Sequence, residues 1–156
     1  MTQLPEDVLA AIAGLPAAGE LDQVFVLLTA DPDGPIDVCL LSRTELQATP
    51  TTVLLVTRST KARRNLAASG RATLIAMTGG AAHYIALEIR RTIEDEGALA
   101  AELAPVRVLR DDLGVELQPA RFRAEERLRV EERWDRTTAL LSRLADEAAQ
   151  TAGGPA

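Results

Sequence analysis

The residues best able to do chemistry form one short basic stretch near the middle of the chain, Thr57-Arg58-Ser59-Thr60-Lys61. The stretch opens a segment with helical character, and a helix N-terminus carries unpaired backbone N–H groups and a partial positive charge. A phosphate placed there accepts those hydrogen bonds. Ser59 and Thr60 add hydroxyl donors, Lys61 adds an ammonium group, and Arg58 can fork onto phosphate oxygens. The stretch therefore predicts a phosphate-binding corner. The alternative is an N-capped helix whose basic side chains are merely solvated.

The charge distribution around this corner is uneven. The net charge is −6, which disfavours a general nucleic-acid-binding protein, because such proteins carry a basic face. Residues 46–87 nevertheless contain no Asp or Glu. Such a window favours a local positive potential, although buried strands also lack charges of either sign. Burial accounts for the missing acids but not for the five basic residues of the window, which are Arg58, Lys61, Arg63, Arg64 and Arg71.

Length and composition predict one globular domain over residues 1–150, with a disordered tail over residues 151–156. No apolar run is long enough to span a membrane, and the acidic N-terminus lacks the apolar core of a secretory signal. The single cysteine, Cys39, cannot form an internal disulfide. A cytoplasmic protein with a buried, inert thiol is the expectation.

The order of predicted elements indicates a mainly β (α+β) fold. Six strands are expected, mostly antiparallel, with a short helix over residues 60–69 between strands three and four and a long helix over residues 124–149 near the C-terminus. A further short helix is expected at the N-terminus, ended by Gly14 and Pro16. Short strands joined by hairpin turns favour a barrel over an open sheet. The strands are expected at residues 23–30, 36–42, 51–57, 72–77, 82–93 and 106–109.

Three segments are less clearly defined by their patterns. Residues 43–50 read as a polar loop or a single helical turn. Residues 97–103 carry alanines typical of a helix but lie where the chain approaches another strand. Residues 115–122 hold a possible last short strand, which Pro119 interrupts.

The pattern around the corner resembles that of a known family. A strand ends in Thr-x-Ser-x-Lys at Thr57, Ser59 and Lys61, a helix of the form Lys-x-x-x-Asn-Leu follows, and Arg71-Ala72-Thr73-Leu74 opens the next strand. This arrangement is similar to the FMN-binding split β-barrel family, the pyridoxamine 5′-phosphate oxidase-like group. The resemblance covers roughly residues 21–113.

The resemblance implies a six-stranded split barrel that forms a homodimer, with FMN along the subunit interface. The phosphate ligands it implies are Thr57, Ser59, Thr60 and Lys61, with Arg58 as an addition. Residues facing the flavin ring would come from residues 38–41 and 54–56, Leu55 and Val56 among them.

The function implied is that of a flavin-dependent oxidoreductase acting on a small substrate. The alternatives are a non-catalytic dimer that binds or senses a flavin or haem, and a cofactor-free member of the fold. FMN is the expected cofactor, with haem or a deazaflavin as alternatives, and no metal, nucleic acid or membrane is expected as a partner.

Two departures from the family pattern bear on these expectations. Residues 36–42 contain no Arg or Lys, although flavoenzymes of the family usually carry one on this strand, and Arg43 comes only after it. The Arg-x-His substrate motif of the oxidase itself is replaced by Arg121-Phe122-Arg123. Oxidation of pyridoxamine phosphate is therefore not expected. His83 and Tyr84 remain open between structural positions and cofactor contacts.

Overall fold

A seven-stranded antiparallel sheet dominates the computed structural model, which describes residues 1–15 and 23–153. Helix α1 (Glu6–Ile12) is followed by β1 (Val24–Ala30), β2 (Ile36–Ser42), a 3₁₀ turn (Arg43–Glu45), β3 (Leu46–Thr49) and β4 (Thr52–Thr57). The remaining elements are, in chain order, helix α2 (Thr60–Ser69), β5 (Arg71–Thr78), β6 (Ala81–Asp95), β7 (Ala98–Asp111), α3 (Glu126–Glu131) and α4 (Trp134–Ala152). The strand order is β2-β1-β5-β6-β7-β4-β3.

The long hairpin of β6 and β7 organises the sheet. The first half of β6 pairs with β5, while the first half of β7 pairs with β4 through partners such as Leu55 and Ala101. Two irregularities in the β6–β7 ladder, between Ala86 and Leu87 and between Ile89 and Arg91, allow these long strands to bend. Glu96 and Gly97 close the hairpin with positive φ values of 45° and 81°, the conformation that suits a tight two-residue turn.

The two edges of the sheet come together through side chains. Cys39 Sγ on β2 lies 3.7 Å from Thr57 Oγ1 at the end of β4, although these strands are not hydrogen-bonded neighbours. We call this junction between β2 and β4 the seam, and helix α2 covers it. Asn65 Nδ2 of α2 donates to Thr29 Oγ1 at 3.2 Å and to Asp37 Oδ2 at 2.9 Å. The sheet is therefore curled into a barrel whose closure is a side-chain seam.

Apolar residues form two cores, one on each side of β4. Inside the barrel, Leu55 packs with residues such as Phe25, Leu74 and Leu103. Outside it, Leu54 and Val56 pack beneath α4. Burial on both faces explains why this strand is a continuous apolar run instead of an alternating one.

The N-terminal helix packs into the barrel core through Val8 and Ile12, which are fully buried. Asp7 of this helix accepts a hydrogen bond from the buried His83, with Oδ2 2.8 Å from Nε2. Tyr84 Oη donates to Asp111 Oδ2 at 3.3 Å. His83 thus fastens α1 to β6. Pro16, expected to end α1, lies outside the described residues.

The mainly β class, the antiparallel pairing and the C-terminal helix are confirmed, but the strand count of six is wrong. Residues 43–50 form a 3₁₀ turn and the short strand β3, so α2 lies between the fourth and fifth strands. Polar residues of β3 are tolerated because this strand is an edge of the sheet. Residues 98–103 are strand, since pairing with both β4 and β6 overrides the helical preference of alanine.

The long C-terminal helix is two helices. Arg133 has a left-handed backbone with φ 49°, which separates α3 from α4. Residues that recur at helical spacings of three and four along this segment are correspondingly divided, because Trp134, Thr137, Leu141 and Leu144 are buried while Val130 is 67% exposed. Helix α4 continues to Ala152, beyond the predicted start of the tail at residue 151.

Residues 115–122 form no strand in the described chain. They are held instead by single contacts, in which Leu117 N donates to Gly80 O, Val24 N donates to Ala120 O, and Arg121 forms an isolated bridge with Gln23.

Candidate functional site

The basic corner lies where β4 turns into α2, and hydrogen bonds within it order the start of the helix. Thr57 is buried, and its Oγ1 accepts a hydrogen bond from Ser59 N at 3.2 Å. Ser59 caps α2 by accepting from Ala62 N at 3.3 Å. The first N–H groups of a helix have no intrahelical acceptor, so those of Thr60 and Lys61 are left for an external one. Helix α2 therefore begins at the N-cap Ser59 and stops at Gly70, whose φ is 66°.

Two of the three basic side chains of α2 form ion pairs with acids of the β1–β2 hairpin. Lys61 Nζ lies 3.4 Å from Asp37 Oδ1, and Arg64 Nη2 lies 2.5 Å from Asp31 Oδ2. Lys61 and Arg64, which lie in a stretch of sequence without acids, are therefore paired with acids in the folded protein. Lys61 remains 71% exposed and Arg64 61% exposed, and such exposed pairs contribute only about 0–1 kcal/mol.

Asp37 is the acid most closely tied to the corner. The hydrogen bond from Asn65, followed by the contact with Lys61, holds the pKa of Asp37 below its usual value. Asn65 is fully buried, and its Oδ1 has no hydrogen-bond partner within the described part of the chain. The seam thus keeps a negative charge beside Lys61 at neutral pH.

Arg58 faces away from α2 toward the break between α3 and α4. Its Nε donates to Glu132 O at 3.2 Å, and its Nη2 lies 3.5 Å from Thr137 Oγ1. It lines a cleft of about 280 Å³ with Arg136 and Arg143 of α4, opposite Glu96 of the β6–β7 turn. Glu96 is paired with Arg136 and, at 3.4 Å, with Arg133. A phosphate role for Arg58 remains a prediction, since its described contacts serve the helix junction.

The predicted ring-facing residues divide into buried and exposed groups. Leu55 is 0% exposed and Val56 1% exposed, each within one of the two cores. A ligand could reach these two only through backbone atoms, so their role also remains a prediction. Val38 and Leu40 of β2 are exposed at 63% and 65%. Cys39 between them is half-buried, and burial raises the pKa of its thiol.

A broad apolar surface, missed by the sequence analysis, lies on the outside of the sheet beside this seam. Strand register places Val38 opposite Leu28, and it aligns Leu40, Val26, Ile75, Tyr84 and Leu109 across five strands. We call this surface the outer apolar face. The signal in the sequence was the alternation of Ile36, Val38 and Leu40 with Asp37 and Cys39, which predicts one strand face pointing away from the core. The outer apolar face comprises Val26, Leu28, Ile36, Val38, Leu40, Ile75, Tyr84 and Leu109.

The described residues contain neither a cluster of metal-binding side chains nor a helix suited to a membrane. No three His, Cys, Asp or Glu side chains within residues 1–15 and 23–153 are grouped as a metal ion would need. In the same part of the chain, no helix is long and apolar enough to cross a membrane.

No family model and no curated protein matches the chain, but solved structures share its architecture. The styrene monooxygenase flavin reductase of Pseudomonas putida S12 superposes with a TM-score of 0.55 at 13% identity, over 69% of this chain and 89% of that one. An FMN-binding protein from Syntrophomonas wolfei subsp. wolfei superposes with a TM-score of 0.51 at 13% identity, over 68% of this chain and 87% of that one. At this identity the likeness concerns the fold alone, and it confirms the split β-barrel architecture predicted from the sequence.

Proposed function

We propose that this split-barrel protein binds a flavin nucleotide, with FMN as the expected form, and holds its phosphate at the corner between β4 and α2. The observation that carries the proposal is the Ser59-capped N-terminus of α2, which leaves the N–H groups of Thr60 and Lys61 available beside an exposed ammonium. The solved flavin reductase and FMN-binding protein support the proposal through the shared fold.

The donor set at the corner fits a phosphate. Lys61 can leave Asp37 at little cost, because an exposed ion pair contributes only about 0–1 kcal/mol. Thr60 is exposed and supplies a hydroxyl donor. The negative charge of Asp37 lowers the affinity of the corner for a dianion, so removing that charge should strengthen binding.

The working unit we propose is a homodimer formed through the outer apolar face. Ile36, Val38 and Leu40 are each at least 63% exposed on an edge strand, and a contiguous apolar patch of this kind marks an interaction surface. A second copy of the chain offers the same patch, as a two-fold interface requires. The corner lies at the margin of this face, so the cofactor would be held next to the subunit interface.

A bound flavin would supply the hydride or electron transfer, and the protein would supply position, electrostatics and protection from water. Under this proposal α2 holds the phosphate, and the outer apolar face provides an apolar environment. The chain then acts as a flavin-dependent oxidoreductase on a small substrate.

A second candidate is a dimer that binds a flavin or haem without turnover, or that has no cofactor. The observation in its favour is the neutralisation of Lys61 by Asp37 and of Arg64 by Asp31. A site that serves only to bind phosphate would bind it more tightly if these cations had no carboxylate partners.

Titration of the purified protein with FMN, followed by quenching of flavin fluorescence, tests the proposal. The double variant Ser59→Ala, Lys61→Ala should weaken binding by about tenfold, since it removes the cap and the ammonium. Asp37→Asn should strengthen binding a few-fold by releasing Lys61 while retaining an acceptor for Asn65. Arg71→Ala is the matched control, because Arg71 is an exposed cation at the opposite end of α2.

The outcomes separate the candidates. Binding unchanged in the double variant would show that the phosphate lies elsewhere. Failure of the unaltered protein to bind FMN, a deazaflavin or haem would leave the cofactor-free dimer. Bound flavin that a nicotinamide reductant bleaches supports the oxidoreductase, while bound flavin that stays oxidised supports the non-catalytic candidate.

A further inference from the structure

A cleft of about 280 Å³ lies between α4 and the β6–β7 turn, and three arginines line it. We call it the arginine cleft. Arg136 and Arg143 stand seven residues apart on α4, so they share one face of the helix. Arg58, which follows β4, is the third. The other lining residues from α4 are the apolar Ala139 and Leu140, so the cleft combines cationic groups with an apolar wall.

A carboxylate of the chain itself already occupies this cleft. Glu96 of the β6–β7 turn lines it and forms an ion pair with Arg136. The same carboxylate oxygen, Oε2, lies 3.4 Å from Arg133 Nη1. Two guanidinium groups therefore meet at one anionic oxygen, which is how arginines bind carboxylates and phosphates in proteins.

The Glu96 carboxylate is held weakly enough to be displaced. Its side chain is 55% exposed and that of Arg136 is 53% exposed, and exposed ion pairs add little stability. Glu96 lies at the tip of the hairpin, directly after the last β6–β7 pair, which joins Asp95 to Ala98. Rotation of the Glu96 side chain would therefore vacate the cleft without disturbing the sheet.

Arg58 brings to the cleft a cation that has no acid as an ion-pair partner. Its guanidinium donates to Glu132 O and lies 3.5 Å from Thr137 Oγ1, which are both uncharged atoms. It forms no ion pair within residues 1–15 and 23–153. Arg143, in contrast, pairs with Glu147 of α4 at 3.2 Å. The charge of Arg58 is thus available to an external anion even while Glu96 is in place.

The charge balance of the cleft favours a dianion. Once Glu96 has turned out, the lining carries three guanidinium groups and the single carboxylate of Asp95. We propose that the arginine cleft binds a phosphate monoester, whose dianionic group replaces the Glu96 carboxylate. The apolar part of the ligand lies against Ala139 and Leu140. Glu96 thereby acts as a built-in competitor of the ligand.

This site is distinct from the corner proposed for the flavin phosphate. Neither Ser59 nor Lys61 is among the residues that line the arginine cleft. Arg58 is assigned to the cleft instead of the corner, in keeping with its direction toward the α3–α4 junction. The two sites can therefore be tested separately.

Calorimetric titration with phenyl phosphate at fixed ionic strength tests the proposal, with benzyl alcohol as a neutral probe of similar shape. Glu96→Gln should bind phenyl phosphate about tenfold more tightly than the unaltered protein, because it removes the competing carboxylate. Glu94→Gln is the matched control. It removes the same charge from an exposed position of the same hairpin outside the cleft, so the affinity should not change. Benzyl alcohol should bind far more weakly than phenyl phosphate.

Arg136→Gln, made in the Glu96→Gln variant, should weaken phenyl phosphate binding by about tenfold, since it removes a guanidinium donor. Arg127→Gln removes an exposed cation of α3 outside the cleft and should have no effect. Lys61→Ala should also leave phenyl phosphate binding unchanged, although it weakens flavin binding if the corner holds the flavin phosphate.

Three results would overturn the proposal. Equal gains in Glu96→Gln and Glu94→Gln would reduce the effect to net charge. A Glu96→Gln variant that fails to bind phenyl phosphate, or binds benzyl alcohol as tightly, would show that the cleft is no phosphate site. Loss of phenyl phosphate binding in Lys61→Ala would place the phosphate at the corner. Binding that survives Lys61→Ala and is lost with Arg136→Gln supports the arginine cleft, whatever the flavin titration shows.

Discussion

Two acidic side chains acquire different properties from their surroundings in this molecule. Asp37 accepts a hydrogen bond from Asn65 and lies beside Lys61, so its charged form is favoured and its pKa is lowered. Glu45 lines a pocket at the end of β2, and burial raises the pKa of its carboxyl group to about 7 despite the hydrogen bond from Ser42 N. One carboxylate therefore contributes a fixed charge, while the other titrates near neutrality.

Glu45→Gln should change how stability depends on pH. The carboxyl pKa is about 7 in the folded protein against about 4.5 when unfolded, so the native state binds more protons between these values. Stability from this group is present below pH 4.5 and is lost as pH rises toward 7. The Gln variant should be more stable than the parent above that pH, by about 1–3 kcal/mol. Urea unfolding at several pH values measures this.

Glu94→Gln provides the control for that experiment. Glu94 is exposed on β6, so its replacement should leave the pH profile unchanged. A parent protein whose stability is level or rises between mildly acidic and neutral pH, in parallel with the Glu45→Gln variant, would contradict the assignment.

Asn65→Leu should weaken the seam that closes the barrel. The side chain is 0% exposed and bridges Thr29 Oγ1 and Asp37 Oδ2, so its loss leaves both acceptors without this donor. We expect the free energy of unfolding to fall by about 1–3 kcal/mol. Ala68→Leu adds the same side chain to an exposed position of α2 and should be nearly neutral in the same urea titration.

At the scale of the element, α4 covers β4, and its first residue, Trp134, lines a pocket at the end of β2. It buries Leu140, Leu141 and Leu144 against Leu54 and Val56. The left-handed Arg133 lets the chain change direction before Trp134. This break turns the apolar stripe of α4 onto the barrel and leaves α3 on the surface.

Leu144→Ala tests this division of the predicted helix. Leu144 is 0% exposed in the core between α4 and β4, so truncation should cost about 2–5 kcal/mol. Val130→Ala is its matched control, because Val130 belongs to the same stripe in the sequence but is 67% exposed on α3. A comparable loss in both variants, measured by chemical denaturation, would indicate one continuous packed helix.

At the scale of the whole molecule, the curled sheet has an inside filled by the barrel core and an outside that is apolar over five strands. The outer apolar face is a contiguous patch, more extensive than the scattered apolar residues that are normal on a protein surface. The proposed dimer would cover it. The predicted phosphate corner lies at its margin because Lys61 contacts Asp37, which stands between Ile36 and Val38 of the face. The α3–α4 junction lies there too, because Leu40 of the face lines the same pocket as Trp134.

The double variant Ile36→Glu, Val38→Glu should therefore be monomeric. Two carboxylates buried without partners would weaken association by about a hundredfold or more, which sedimentation velocity over a range of concentrations detects. Val130→Glu changes an equally exposed apolar residue outside the face and should leave the association state unchanged. A double variant that sediments like the unaltered protein would show that another surface forms the dimer.

The sequence by itself determined the locally encoded parts of this protein. The β1–β2 hairpin, the capped α2 with its stop at Gly70 and the turn at Gly79-Gly80 follow from patterns within a few residues. The predicted bounds of β2 and α2 coincide with the observed ones. Capping, turn chemistry and strand alternation act over short distances, so a sequence pattern captures them.

Only the tertiary structure decided what surrounds these parts. It placed Asp37 and Asp31 against a corner that has no acid near it in sequence, and it extended β7 through an alanine-rich segment because two strands needed a partner. The tertiary structure also divides the last helix at Arg133 and buries Trp134 against Phe122 beside that division. Each result depends on contacts between residues far apart in the chain, which local propensity does not encode.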